Sequence, residues 1–193
     1  MGTRGVFGFH KNGVDKITYN HYDSYPTGLG EEVVKFLKNH GVEELNTIFD
    51  RIIMVNDKTP PTKKQIKECE KYTDTGVSSG KTDEWYVLLR GAQGEPEVYA
   101  SGLVFMEDGG DDFLKDSLFC EWGYVINLTT NRLEIYRGFQ KKPQDNRYKT
   151  EKGDRSGYYN CALIREVPLT QVKNFNMKKF EKEIEKEEEE GDE

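Results

Sequence analysis

The chain has 193 residues, of which 35% are hydrophobic and 33% charged, with a formal charge of −7. That length holds one ordinary domain, and 11 Tyr, 10 Phe and 2 Trp supply enough interior to exclude wholesale disorder. No apolar run approaches the roughly 20 residues of a membrane span, and the start Met1-Gly2-Thr3-Arg4 lacks the apolar stretch of a secretory signal. The expectation is a cytoplasmic protein with no membrane partner.

In chain order, residues 5–9 and 16–20 are β-rich runs on either side of Asn12-Gly13, a strong turn signal, and predict an opening hairpin. Leu29, Val33, Phe36 and Leu37 recur at helical spacing toward a stop at Gly41, with Ser24 or Thr27 as candidate caps. Leu45, Ile48, Phe49, Ile52 and Ile53 predict a second helix over 42–54, and Pro60-Pro61-Thr62 introduces a charged third one through Tyr72. A Gly, Ser and Thr-rich loop fills 73–82, and 83–90 has the pattern of a short capped helix. Residues 97–106 suit a helix by spacing, although Gly102 weakens it. The last third changes character. Residues 117–128 and 133–137 around Thr129-Thr130-Asn131 predict a second hairpin, and 158–168 another strand. Between them the polar, Lys and Arg-rich stretch 138–157 reads as an exposed loop, solvated by default, with anionic-ligand binding as the alternative.

Charge is concentrated at the end. Residues 181–193 hold nine acids against Lys182 and Lys186, which accounts for the whole −7 and leaves the rest of the chain balanced. A balanced body has no net field to draw in nucleic acid, which argues against that partner. The acidic run reads as a helix fraying into solvent. Cys69, Cys120 and Cys161 stand far apart with no CxxC pair, the pattern of reduced, buried thiols. No metal-ligand spacing or cofactor motif emerges, so the expectation is no metal and no cofactor.

One candidate site follows from the first hairpin. If Phe9 pairs near Lys16, the antiparallel register carries the second strand back until Asp23 lies near Gly2. Period-two alternation then puts Ile17, Tyr19, His21 and Asp23 on one face, so that face ends in an imidazole and a carboxylate. Such a pair can bind a metal or relay a proton, the carboxylate fixing the tautomer and raising the basicity of the ring. The bland alternative leaves His21 bonded to a neighbouring backbone group and Asp23 opening a turn. The segment Tyr25-Pro26-Thr27-Gly28-Leu29-Gly30 starts a helix, where free N–H groups and the glycines Gly28 and Gly30 would let an anion approach the backbone. Arg4 would supply countercharge at the same end.

Gly2-Thr3-Arg4-Gly5 followed by YNHYDSYPTGLG at 19–30 resembles the opening of a family of small uncharacterised microbial and viral proteins. WGYVINL at 122–128 and LEIYRG at 133–138 resemble its later hairpin. That family implies no established activity. Met1-Gly2-Thr3 and Asn20-His21-Tyr22-Asp23 are also similar in place to the opening of N-terminal-nucleophile hydrolases of the bile-salt and penicillin-V acylase type. In those enzymes removal of Met exposes a Cys, Ser or Thr nucleophile. Here it exposes Gly2, so the similarity implies the layered fold more than the hydrolysis.

The resulting expectation is a single α+β domain over 1–175 and an acidic helical or disordered tail over 176–193. An antiparallel sheet core is built from the N- and C-terminal hairpins with a helical middle, in the manner of an N-terminal-nucleophile sandwich. The leading function is a non-enzymatic binding or accessory protein for a small molecule or a protein, with its pocket at Arg4, His21, Asp23 and Tyr25. The rivals are an amide or phosphoester hydrolase using His21 and Asp23, and an inhibitor that engages a basic partner through the acidic tail.

Overall fold

A computed structural model describes residues 2–154 and 156–191, apart from the side chains at 110, 111 and 188–191. The opening hairpin consists of β1 (Gly5–Lys11) and β2 (Val14–Asn20), joined by Asn12 and Gly13 at φ +50° and +80°. Two successive left-handed residues make the turn whose twist matches the strands it connects. Phe9 pairs with Lys16, the register expected from the sequence. The later hairpin is β5 (Trp122–Asn127) and β6 (Arg132–Arg137), and β7 (Ala162–Pro168) pairs antiparallel with β6.

These strands form one sheet in the order β2-β1-β5-β6-β7, so the molecule is α+β and the sheet does join the two terminal hairpins. The join itself differs from expectation: β1 runs parallel to β5, with Gly5 opposite Trp122 and His10 opposite Asn127. The sheet is therefore mixed. A parallel neighbour requires a long crossover, which the helical middle provides. Strand β5 is buried along its whole length, as a central strand covered on both faces must be.

One face carries Phe7, Phe9, Trp122, Tyr124, Ile126, Leu133 and Ile135 against α1 (Glu31–Asn39) and α2 (Val42–Arg51), which contribute Val33, Phe36, Leu45, Ile48 and Phe49. Ring pairs such as Phe7–Phe36 at 6.3 Å and Phe9–Phe49 at 6.5 Å lock helices to strands. The opposite face carries Val6, Ile17, Val125 and Tyr136, packed under Leu114, Cys120, Tyr148 and Cys161. The stretch 138–157, expected as an exposed loop, thus covers sheet: Tyr148 is 1% exposed and stacks edge-on with Tyr136 at 5.4 Å. All three cysteines are buried free thiols.

Two expected helices end early. Helix α2 stops at Arg51, and Ile53–Val55 becomes β3. Beyond α3 (Lys63–Cys69) and α4 (Trp85–Leu88), helix α5 spans only Glu97–Ala100, Gly102 takes φ +107°, and Phe105–Glu107 becomes β4, parallel to β3. Two short apolar runs that each fit a helix by spacing find one another as strands. After α6 (Gly110–Leu114) and the later hairpin, α7 (Met177–Gly191) begins with Met177 and Phe180 at 2% exposure each. The core therefore runs past residue 175, and the first turns of the expected tail are part of it. The acidic side chains from 188 onward lie outside the described residues. Among the described residues no helix is long and apolar enough to cross a membrane.

Candidate functional site

The chain does fold back as the hairpin register requires. The Ser24 N–H donates to the Thr3 carbonyl at 3.0 Å, and Gly2 lies so close to the Tyr22 ring that a Cβ there would come within 2.5 Å of it. The imidazole and carboxylate do not pair, however. Strand β2 ends at Asn20, and Asp23 sits at φ +52°, which turns its side chain out of the strand alternation. His21 Nδ1 shares a 2.8 Å hydrogen bond with the Tyr19 hydroxyl instead. Burial, and then the nearby Arg90 and Arg4 guanidinium groups, push the His21 pKa down, so its ring is neutral at neutral pH.

The hairpin makes its imidazole–carboxylate pair at the turn end, where His10 and Asp15 are register partners and Nδ1 lies 2.6 Å from Oδ1. The same register that suggested His21 and Asp23 contains this pair one step beyond Phe9 and Lys16. It belongs to a structural network. Arg147 lies 3.9 Å from Asp15 and 2.5 Å from Glu134, which also accepts from Asn127 Nδ2 at 2.7 Å and the Tyr136 hydroxyl at 2.9 Å.

The glycine-rich helix start does not offer its donors to an anion. The Gly28 and Gly30 N–H groups donate to the Tyr25 carbonyl at 3.0 and 3.4 Å, and the Leu29 N–H donates to the Asp23 carbonyl at 2.8 Å. Gly28 is required for close approach, since a Cβ would meet the Asp23 oxygen at 2.1 Å, while Gly30 packs against the Tyr124 ring. Tyr25 is partly exposed, and the Arg4 guanidinium lies 4.8 Å over Phe119 with its backbone bonded to Glu121.

What the fold-back builds is a cleft of about 280 Å³ between the end of β2, the 23–29 turn and residues 90–95. Asp23 and Gly28 line it together with Asn20, Tyr22, Glu32, Arg90, Gln93 and Glu95, while His21, Arg4, Tyr25 and Gly30 lie outside the lining. Asn20 holds the turn by donating to the Ser24 hydroxyl at 2.8 Å and the Tyr22 carbonyl at 2.5 Å. The Arg90 guanidinium lies 4.9 Å over Tyr22 and 5.8 Å over Tyr86, and one of its terminal nitrogens donates to Gln93 Oε1. Arg90 Nε is buried and has no hydrogen-bond partner, while the Gln93 side chain accepts from Arg90 and is placed to bond the Tyr86 hydroxyl. On β4, outside the cleft lining, Glu107 is pushed up to about 7 by burial and then by Asp57 and Asp108, and its Oε2 is also unpartnered. Burial raises the Tyr86 and Tyr19 pKa values, so both hydroxyls stay protonated donors.

Larger depressions, of about 440 Å³ along α1 and about 630 Å³ beside α3, contain none of these orphaned atoms. Unpartnered buried donors cost free energy unless something pairs with them, and that criterion selects the smaller cleft. Arg90 and Gln93 escaped the sequence reading because their only mark was a cation beside the break at 91–96. No protein-family model, no curated protein and no solved structure matches the chain.

Proposed function

We propose that the protein is a non-enzymatic binding protein whose pocket is the Asp23–Arg90 cleft at the open end of the first hairpin. The observation that carries this reading is a buried donor without a partner, Arg90 Nε, in a residue that lines the cleft. Such a donor suits a ligand that presents acceptor oxygens, and a guanidinium favours a carboxylate or phosphate, carried by a ligand whose cationic groups can face Asp23, Glu32 and Glu95 in the same lining. The ring of Tyr22, 54% exposed, adds an apolar wall.

The reading is tested by thermal-shift titration with a panel of small carboxylates and phosphates, repeated on Arg90→Met. A binder raises the melting temperature with concentration, and the variant abolishes that dependence. The absence of any stabilising compound, or a response unchanged in Arg90→Met, overturns the assignment to this cleft.

A hydrolase centred on His21 has one observation in its favour, a ring kept neutral and hence able to accept a proton. Against it, the ring is bonded to Tyr19 rather than to Asp23. Turnover of an amide or phosphoester that disappears in His21→Ala would replace the binding reading with this one. For the inhibitor reading, Glu181 and Glu183 already face the body, through the Thr27 hydroxyl at 2.7 Å and Arg165 at 3.6 Å.

A further inference from the structure

Away from the cleft, the loops that flank β5 and β6 display aromatic rings in solvent with a cation beside each. Phe119 and Phe139 are 41% and 44% exposed. Arg4 lies 4.8 Å over Phe119, Arg137 lies 5.4 Å over Phe139, and Lys141 lies 3.2 Å over Tyr158. The units are contiguous. Phe139 N–H donates to the Ser117 carbonyl at 2.7 Å, which ties the two loops together, and the Phe139 and Tyr158 rings are 6.4 Å apart.

Phe139 is held at φ +60°, a left-handed conformation that a bulky side chain rarely adopts. Gly138 makes that possible: a Cβ at 138 would meet the Cys120 carbonyl at 2.1 Å, so only glycine lets the chain press against the 117–121 loop and turn the next ring outward. A strained backbone that presents an exposed ring contributes nothing to the interior, and such outliers concentrate where a surface binds something.

We propose that Phe119, Phe139 and Tyr158, with Arg4 and Lys141, form a binding strip for single-stranded nucleic acid. Rings take successive bases by stacking, and interleaved cations follow the phosphates, which is the combination that sequence-tolerant single-strand binding uses. An acidic peptide would use the cations and leave the rings idle. The balance of charge over the body as a whole does not oppose a local strip; it makes the attraction short-ranged and modest. Two phosphate contacts, from Arg4 and Lys141, imply a slope of log affinity against log salt of about −1.4.

The test is fluorescence anisotropy of a labelled oligothymidylate of about 12 nucleotides, a length within the span of such sites. Wild type is expected to bind at low salt. Phe119→Ala and Phe139→Leu should each weaken binding roughly 5- to 100-fold, the loss of one stacked base. Phe139→Leu keeps apolar bulk, so its melting temperature checks that folding survives while stacking is gone. No binding at low salt, affinity in both variants equal to that of wild type, or equal displacement by a polyglutamate peptide of matched charge would each overturn the proposal.

Discussion

Replacing Arg147 by Met tests whether the 138–157 segment is a structural layer or a solvated loop. Glu134 is 3% exposed, and burial alone would raise its pKa, but the bonds from Arg147, Asn127 and Tyr136 outweigh burial and hold it below the usual carboxylate range. Removing one partner of a buried pair costs roughly 3–5 kcal/mol. The Arg147 side chain is 25% exposed and keeps part of its hydration, so about 2–3 kcal/mol is expected. For a chain of this length that is a fall in melting temperature of roughly 4–12 °C.

The pH dependence has a definite sign. A carboxyl depressed in the folded state contributes stability above its unfolded pKa of about 4.3, lost as pH falls through the folded value. Without Arg147 the burial contribution gains weight, so acid destabilisation should set in at higher pH than in wild type. Urea denaturation at a series of pH values measures both effects. Adding Glu134→Gln to Arg147→Met should recover most of the loss, since an unpaired buried charge is then absent. A loss under about 1 kcal/mol, typical of an exposed pair, with an unmoved acid limb would refute the layered reading of this segment.

The His40 ring lies 3.0 Å from Glu44 and 2.9 Å from Glu97, and although burial lowers its pKa the two carboxylates more than offset that and raise it. Its contribution is therefore complete below about pH 6.5 and lost as pH rises through the folded value; His40→Gln should cost about 1 kcal/mol at pH 6 and almost nothing at pH 9, read by urea titration. Gly28→Ala drives a Cβ onto the Asp23 carbonyl and should cost at least about 2 kcal/mol by thermal melt, with loss of ligand response at the cleft. Phe180→Ala should cost about 3 kcal/mol by chemical denaturation, and a chain ending at residue 175 should lack cooperative unfolding, because Met177 and Phe180 belong to the core.

The parts of the fold that were legible in the sequence are the local ones. Asn12-Gly13 specified the first hairpin and its register, and the spacing of Val33, Phe36 and Leu37 specified α1. Parallel pairing of β1 with β5 joins residues more than 110 positions apart and leaves no local mark. Strands β3 and β4 were hidden because three-residue segments fit either period. Tyr148 was hidden among charges, and its burial depends on Arg147 finding Glu134. At the site, the fold-back was readable from the register. The left-handed turn at Asp23, which separates it from His21, was not, since an aspartate tolerates either conformation. Arg90 became visible only once its unpartnered nitrogen did.

The parallel seam between the two halves bears on how the molecule comes into being. The amino-terminal hairpin emerges from the ribosome long before Trp122–Asn127 exists, so during synthesis one edge of β1 is bare and Phe7 and Phe9 lack their neighbours. High contact order of this kind slows folding. A nascent chain arrested upstream of β5 would carry an adhesive ribbon, and the cell would have reason to shield or degrade it.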